Sequence, residues 1–218
     1  MKGLFITFEG TEGSGKSTQV PLLMQRLRKL GLPVRQVREP GGTPIGEEIR
    51  HTLKHSANNR AMTPEAELLL MNASRAQLVR ETIRPALAAG EIVLCDRFYD
   101  STTAYQGYGR ELNLDAVRAI IDFAVEDTRP DLTLLFLVPA SLSEERRLAR
   151  QPTLPFVRDR IEEADRSFFE RVEAGYEAIA ATEPRRVRKI DATDTIEAVA
   201  DAVWDALEPL LEKGAVEA

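Results

Sequence analysis

Hydrophobic residues gather in five short segments of the chain, each bounded by glycine, proline or charged residues. Aliphatic, aromatic and β-branched residues dominate these segments, and such runs predict β-strands. The segments at 91–96 and 131–138 are apolar at nearly every position, which is typical of strands covered on both faces. The predicted strands cover residues 4–9, 33–38, 91–96, 131–138 and 186–191.

Between the strands, apolar residues recur every three or four positions, which is the spacing of amphipathic helices. Thr63 and Pro64 predict a helix start, because proline favours the first helical position. This helix is expected to continue to Gly90 with a kink at Pro85, whereas Pro21 lies early enough in its own helix to be tolerated. Helices are predicted at 16–31, just before residue 50, at 64–89, 114–126, 163–182 and 195–212, and after a capping box at Ser141 and Glu144.

The order of these elements predicts an α/β fold. Strands alternate with helices, so the strands are expected to form a parallel sheet of about five strands with helices on both faces. No repeat, low-complexity tract or linker divides the chain. We therefore expect one doubly wound domain over residues 1–218, with an arginine-rich insert at about 147–160 that closes as a lid.

Composition narrows the class of protein without identifying it. With 218 residues, 43% hydrophobic and 29% charged, the chain is expected to be an ordinary globular protein. The net charge of −6 argues against general binding of nucleic acid. The first apolar segment is too short for a signal peptide, and no apolar run reaches the length of a membrane span. The single cysteine, Cys95, allows no internal disulfide, which predicts a cytoplasmic location.

A glycine-rich segment between the first strand and the first helix carries the clearest chemistry. Residues 10–17 read GTEGSGKS and fit the phosphate-binding pattern G-x-x-x-x-G-K-[ST]. Glycines let successive N–H groups approach phosphate oxygens, and the helix that follows adds the positive end of its dipole. The dinucleotide pattern G-x-G-x-x-G fails, because Thr18 replaces its last glycine. The predicted ATP-binding residues here are Gly10, Thr11, Glu12, Gly13, Ser14, Gly15, Lys16, Ser17 and Thr18.

The end of the third predicted strand supplies a second set of polar residues. Ligands of open α/β sheets gather at the carboxyl ends of the strands, so Asp96 and Arg97 should face the same crevice as the glycine-rich loop. Asp96 and Ser17 are candidate Mg²⁺ ligands, and Arg97 is a candidate phosphate ligand. A GTPase would need an N-K-x-D motif after a later strand, and the sequence has none.

Four segments in this order resemble the bacterial thymidylate kinases. They are FEGTEGSGKST at 8–18, REPGGT at 38–43, DRFYDSTTAYQG at 96–107 and DRIE at 159–162. The resemblance covers nearly the whole chain. It implies Mg²⁺-dependent transfer of the γ-phosphoryl group of ATP to dTMP by a homodimer.

The resemblance also implies roles for single residues. Arg97 resembles the residue that clamps the dTMP phosphate, Tyr105 the residue that crowds the sugar 2′ position, and Arg75 the residue that hydrogen-bonds the thymine edge. Glu12 is similar to the acid that meets the 3′-OH and approaches the transferred phosphate. Met71 stands where the family commonly has a phenylalanine stacked on thymine. The dTMP-binding residues implied are Glu12, Arg38, Pro40, Met71, Arg75, Arg97, Thr102, Tyr105 and Gln106.

The arginine-rich insert completes the implied site. Arginines delivered by a closing lid would stabilise the charge of the transferred phosphoryl group and exclude water. Arg150 resembles the residue that stacks on adenine, and Asp191, Ala192 and Thr193 resemble the loop beside adenine. Either Arg158 or Arg160 would reach the phosphates, and the sequence leaves both open. The predicted catalytic residues are Lys16, Glu12, Arg97, Arg158 and Arg160.

Two other interpretations stay open at this level. A kinase of another nucleoside monophosphate would share most of these motifs, and Met71 makes it a real alternative. A regulatory module that senses or hydrolyses ATP would share the glycine-rich loop but would not need a second, base-reading pocket. His51 and His55 are expected to be surface residues, and the apolar faces of the helices at 64–89 and 113–126 are where a dimer contact is expected.

Overall fold

A single parallel sheet organises the chain. The computed structural model describes residues 3–56, 58–139, 142–143, 145–146, 149 and 165–216. Its five strands lie in the order β2–β3–β1–β4–β5, and every neighbouring pair is parallel. All five predicted strands are confirmed, with boundaries that shift by one residue at most. They are β1 Leu4–Glu9, β2 Val34–Arg38, β3 Ile92–Asp96, β4 Leu132–Leu137 and β5 Val187–Asp191.

Helices cover both faces of this sheet. Most of them agree with the sequence prediction, including α1, in which Pro21 is accommodated, and α3, which begins at Pro64. The helix predicted after Ser141 and the insert at 147–160 lie outside the described residues, apart from isolated positions. The helices are α1 Lys16–Lys29, α2 Pro44–Lys54, α3 Pro64–Leu78, α4 Arg84–Ala88, α5 Tyr99–Thr102, α6 Leu114–Val125, α7 Arg166–Thr182 and α8 Ile196–Val216.

Two segments differ from the prediction. The irregularity expected at Pro85 lies one turn earlier, as a π-helical segment Val79–Ile83. Pro85 lies in the first turn of α4, directly after this wider turn. The stretch after β3 was not predicted to be helical, but it forms α5 and then a π-helix, Thr103–Gly109. Its glycines, threonines and tyrosines are poor helix formers, and burial on several sides overrides that preference.

Alternation along the strands divides the core between the two faces. Ile6, Phe8 and Leu94 belong to a cluster with residues of α1 and α8. Phe5 and Val93 belong to a second cluster with residues of α3 and α6 on the opposite face. Every helix among the described residues is too short or too polar to cross a bilayer.

The topology fixes where ligands can bind. The chain leaves β1 towards β2 on one side and leaves β3 towards β4 on the other, so the winding reverses between the adjacent strands β1 and β3. Phe8 of β1 and Arg38 of β2 both lie opposite Asp96 of β3, so the three strands end at the same level. Loops at this carboxyl edge diverge and leave a crevice.

Candidate active site

The glycine-rich loop after β1 has the backbone that its sequence predicts. Gly10, Gly13 and Gly15 all have positive φ angles, of 131°, 78° and 97°. A Cβ atom at Gly10 would clash with the carbonyl oxygen of Phe136 in β4, so the loop can pass this strand only as glycine. Helix α1 begins directly after Gly15, and its first N–H groups therefore point into the loop.

Lys16 is folded back onto this loop. It is 7% exposed, and its Nζ donates hydrogen bonds to the carbonyl oxygens of Gly10 at 2.9 Å and Thr11 at 2.7 Å and to Ser14 Oγ at 3.1 Å. Burial, and then the nearby Arg97 guanidinium, lower the pKa of Lys16 to about 7. A phosphate group beside the amine would favour its charged form.

A cavity of about 210 Å³ opens beside the loop at the carboxyl ends of β1, β2 and β3. All the residues assigned to dTMP from the sequence line it, together with Asp96. These assigned residues are Glu12, Arg38, Pro40, Met71, Arg75, Arg97, Thr102, Tyr105 and Gln106. The structure therefore brings together side chains that are spread over nearly a hundred positions of the sequence.

Other lining residues were not predicted. Phe98 and Ser101 lie inside the segment that had already been identified, and Arg50 and Lys54 lie one turn apart on α2, so a helical plot could have suggested them. Phe169 comes from α7, far along the chain, and no local pattern marks it. The remaining unpredicted lining residue is Glu39.

Arg75 and Glu39 form an ion pair in the wall of this cavity. The Arg75 Nη2 and Nε atoms lie 2.6 and 2.9 Å from Glu39 Oε2, and both side chains are less than 5% exposed. The other three N–H groups of Arg75 donate to Asn72 Oδ1, Thr102 Oγ1 and the Phe98 carbonyl oxygen. All five donors of the guanidinium are thus used within the protein, so in this conformation Arg75 shapes the pocket and offers no N–H to a base.

Glu39 is an unusual carboxyl group. Burial outweighs the attraction of Arg75 and raises the pKa of Glu39 to about 6. Its second oxygen, Oε1, is buried and has no hydrogen-bond partner among the described residues. The ion pair therefore leaves one polar atom at the cavity wall unsatisfied.

Arg97 lies at the point where β3 ends. Its backbone has a φ of 67°, which side chains other than glycine rarely adopt. Its Nη1 lies 3.0 Å from Ser101 Oγ and 3.3 Å from Tyr176 OH, and its Nη2 lies 3.4 Å from Tyr105 OH. The guanidinium stacks over the Tyr105 ring at 5.1 Å, which holds it against the cavity wall.

Glu9 lies behind Arg97 and was not predicted to belong to the site. It is the last residue of β1 and is fully buried. Burial and the neighbouring carboxylate of Asp100 raise the pKa of Glu9 to about 7, against the opposing effects of Ser101 and Arg97. In the sequence, Glu9 can be recognised only as the last residue of a predicted strand, which gives no sign of a role in the site.

Ser17 and Asp96 suit the Mg²⁺ ion that was expected from the sequence. Ser17 is exposed at the start of α1. Asp96 Oδ1 is buried and has no hydrogen-bond partner in the described part of the chain, which leaves a carboxylate oxygen for the ion or its water. Mg²⁺ in phosphoryl-transfer sites is typically held by one or two protein groups and by phosphate oxygens. The described residues hold no cluster of three or more His, Cys, Asp or Glu side chains that could bind a metal alone.

A second cavity, of about 370 Å³, lies on the other side of the loop. Gly13, Gly15 and Thr18 line it together with Ala192, one of the residues predicted to lie beside adenine. The Arg146 Nη1 atom donates to the Ala192 carbonyl oxygen at 2.9 Å, and Arg146 also lines the cavity.

Two more of the residues predicted to lie beside adenine, Asp191 and Thr193, lie next to the glycine-rich loop. Asp191 accepts hydrogen bonds from the N–H and hydroxyl groups of Thr193, and these two residues line a neighbouring cavity with Gly10 and Thr11. Arg146 was not predicted. The predicted arginines of the insert, Arg150, Arg158 and Arg160, lie outside the described residues.

Comparisons with known proteins match this chain to one family over almost its full length. A family model described as thymidylate kinase matches residues 8–203. Among curated proteins, the thymidylate kinase of an Exiguobacterium species is 46% identical over 217 residues and covers 100% of both chains. That of Thermomicrobium roseum is 47% identical over 210 residues, 96% of this chain and 97% of its own. Among solved structures, thymidylate kinase from Ehrlichia chaffeensis matches with a TM-score of 0.76 and 32% identity, over 95% of this chain and 99% of that one.

Proposed function

The chain belongs to the thymidylate kinase family, and we propose how its residues carry out the family reaction, the transfer of the γ-phosphoryl group of ATP to dTMP. The observation that carries the proposal is the position of one cavity. The pocket lined by all the residues assigned to dTMP opens directly beside the glycine-rich loop, at the edge where β1 and β3 end. Two phosphorylated ligands can therefore meet there.

The glycine-rich loop and Lys16 hold the ATP phosphates in this proposal. The loop N–H groups and the amino end of α1 supply fixed positive partial charges, and Lys16 turns from Gly10 and Thr11 towards the phosphates. The cavity at Ala192 takes the adenine, with Asp191 and Thr193 beside it. Arg150 stacks on the base, and Arg158 or Arg160 reaches the transferred group.

The dTMP phosphate binds to Arg97 and lies towards Arg38 and Pro40, and Glu12 meets the sugar 3′-OH. Tyr105 is 7% exposed and packs against the Phe168 and Tyr176 rings, so it forms a rigid wall that leaves little room for a 2′-hydroxyl. Met71 packs on the thymine through its thioether. Thr102, Gln106 and the Arg75–Glu39 pair close the base end.

The reaction needs positioning and charge neutralisation more than acid–base chemistry. An oxygen of the dTMP phosphate attacks the γ-phosphorus of ATP in line, the bond from that phosphorus to the β–γ bridging oxygen breaks, and ADP leaves with the bond electrons. The attacking oxygen is already anionic, so no strong base is required. Lys16 and Arg97 face the charge that spreads over the transferred oxygens. Ser17 and Asp96 would hold Mg²⁺, which supplies further charge neutralisation when bound.

Association and location complete the proposal. Phe123 on α6 is 82% exposed and Leu69 on α3 is 56% exposed, and these two helices pack side by side. This apolar surface supports a homodimer formed through α3 and α6, so Phe123→Asp should convert a dimer into a monomer in size-exclusion chromatography.

The single cysteine fits a cytoplasmic protein, and the continuous sheet fits one domain over residues 1–218.

The direct test measures ADP formed from Mg-ATP with each nucleoside monophosphate added in turn at equal concentration. Strong dependence on dTMP, weaker dependence on dUMP and little on UMP, CMP, AMP or GMP is expected. Equal use of several pyrimidine monophosphates would still indicate a nucleotide kinase, but it would show that the pocket with Met71 does not select thymine. ADP release that ignores every monophosphate would assign the chain to an ATP-hydrolysing or ATP-sensing class instead.

A further inference from the structure

Glu9 is buried directly behind the acceptor cavity, which is the cavity of about 210 Å³ lined by the residues assigned to dTMP. Its hydrogen bonds among the described residues join it to residues 98–101 after β3 and to helix α7. Its Oε1 accepts the N–H of Phe98 at 2.7 Å. Its Oε2 accepts the hydroxyl of Ser101 at 2.6 Å and the hydroxyl of Tyr176 at 3.1 Å. Glu9 does not line the acceptor cavity itself, so it cannot be assigned to dTMP by contact.

The two hydroxyls that bind Glu9 also bind Arg97. Arg97 Nη1 lies 3.0 Å from Ser101 Oγ and 3.3 Å from Tyr176 OH. An ionised carboxylate only accepts hydrogen bonds and a guanidinium only donates them. When Glu9 is ionised, each hydroxyl can therefore donate to Glu9 and accept from Arg97, so the carboxylate and the guanidinium are joined by two bridges. The two hydroxyl oxygens also lie 2.9 Å apart, so the bridges contact each other.

The backbone next to Arg97 depends on the same carboxylate. Arg97 holds a φ of 67°, a strained conformation that persists only where neighbouring bonds hold it in place. Its own N–H donates to the Phe8 carbonyl oxygen at 3.0 Å, and the next N–H, from Phe98, donates to Glu9. Both bonds come from the last two residues of β1, so this strand end fixes the turn as well as the side chain.

We propose that Glu9 is a positioning residue for the acceptor phosphate, which acts by fixing the Arg97 guanidinium through Ser101 and Tyr176. This inference rests on the proposed role of Arg97 in binding dTMP. Other charged or titratable groups near Glu9 are Lys16, Cys95, Asp100 and Tyr105. Asp100 is itself neutralised by Arg186 at 2.6 and 3.0 Å. Arg97 is the cation that shares hydrogen-bond partners with Glu9 among the described contacts.

The test is a double-mutant cycle between Glu9→Gln and Arg97→Ala. The glutamine keeps the size of the side chain and an oxygen for the Phe98 N–H, but its NH₂ group cannot accept from the two hydroxyls. Glu9→Gln is expected to raise the KM for dTMP at least about tenfold, with kcat within about threefold and the KM for ATP within about twofold of the parent. In the Arg97→Ala background the same change should alter the KM for dTMP less than about twofold.

Additive effects in this cycle would overturn the proposal, because they would show that Glu9 does not act through Arg97. If Glu9→Gln does not fold, the pair Ser101→Ala and Tyr176→Phe decides instead, since it removes both bridges and leaves the carboxylate. Because Ser101 also lines the cavity, the pair is measured in the Arg97→Ala background as well, where it should alter the KM for dTMP less than about twofold. The pair should raise the KM for dTMP to a similar extent, and an unchanged KM would overturn the proposal. A parent enzyme with no dTMP-dependent ADP formation would overturn the proposed function rather than this inference.

Asp131→Asn is the matched control. Asp131 accepts the N–H of Phe5 at 2.8 Å at the opposite end of β1, so the change also replaces a carboxylate that binds a strand-end N–H. It lies away from both cavities, and its KM for dTMP should equal that of the parent. An equal rise in KM in this control would assign the effect of Glu9→Gln to the loss of any strand-end carboxylate and would overturn the proposal.

Discussion

The two halves of the active site are built by different means. On the proposed donor side, the groups available to the phosphates are backbone N–H groups and one lysine within residues 10–18. On the acceptor side, the cavity is held by buried side-chain pairs such as Arg75–Glu39 and by the Glu9–Ser101–Tyr176 contacts, which link positions up to 167 residues apart. A local loop can lose a side chain and keep its shape, whereas a network of buried charges supports function and stability together.

This difference predicts which variants will fail to bind and which will fail to fold. Removing a buried donor that serves only the ligand should change activity alone. Removing one partner of a buried ion pair leaves an uncompensated charge, which destabilises the whole domain. Activity and unfolding measured on the same variants therefore separate the two regions.

Lys16→Ala should produce the largest effect on turnover. In the proposed mechanism the amine faces the charge of the transferred group, so kcat should fall about a hundredfold to a thousandfold. The melting temperature should change little, because the loss of the three hydrogen bonds from the amine to the loop is offset by the relief of a buried charge whose pKa is lowered to about 7. Steady-state kinetics and thermal unfolding check this, with Lys29→Ala, exposed at the end of α1, as a control that retains activity. Intact turnover in Lys16→Ala would refute the mechanism.

Arg75→Ala should lower the free energy of unfolding by about 3–5 kcal/mol, because it leaves the buried Glu39 without its cation. Use of dTMP should be lost in parallel. The control is Arg35→Ala, which breaks an ion pair with Glu91 of similar length whose arginine is 46% exposed, and it should change stability far less because solvent screens the pair. Urea unfolding measures the stability of both variants. Equal losses would show that the buried Arg75–Glu39 pair contributes no more to stability than the exposed Arg35–Glu91 pair.

The dependence of stability on pH should have opposite signs in the two regions. Glu9 and Glu39 have pKa values raised from 4.5 to about 7 and about 6, so the folded state binds more protons than the unfolded state above pH 4.5. Their contribution to the free energy of unfolding should therefore fall as the pH rises from about 4.5 to about 7. Lys16, lowered from 10.5 to about 7, binds fewer protons when folded, so its contribution should rise between about 7 and about 10.5.

Urea unfolding from pH 5 to pH 9 checks these signs. Glu9→Gln should flatten the curve below pH 7, and Lys16→Met should flatten it above pH 7. If a variant shows the same dependence of stability on pH as the parent, the group that it removes has the same pKa in the folded and the unfolded chain, and the prediction is wrong.

Met71→Phe should have the smallest effect and should sharpen the acceptor side. Met71 is half-buried at the cavity wall, and an aromatic ring there would stack on the base, which is worth about 0.5–1.5 kcal/mol. The ratio of kcat/KM for dTMP in the variant to that in the parent should be about three to ten. Leu22→Phe, on the outer face of α1, adds the same ring away from the cavity and should leave kcat/KM for dTMP unchanged.

The sequence predicted the donor side more completely than the acceptor side for a physical reason. The phosphate loop is encoded by consecutive residues, so its pattern contains both the turn and the ligand groups. Nine of the residues that line the acceptor cavity were identified through the family motifs. Glu9, Tyr176 and Phe169 were not, because their roles depend on pairings between β1, the segment after β3 and α7. Likewise, the saturation of Arg75 by Glu39 depends on contacts across 36 positions that no spacing rule reveals.

The π-helix at Thr103–Gly109 also has a consequence for how such enzymes diverge. A π turn holds one residue more than the α turn that it replaces, so the helix is wider at this point while the residues on either side keep the faces that they present. Tyr105 and Gln106 reach the cavity from within this wider turn. Deleting one residue near Thr103 would restore the narrower α turn, and one of these two side chains would then lose its place in the cavity wall. Chain length in this segment can therefore alter the shape of the base pocket without any substitution at a lining position.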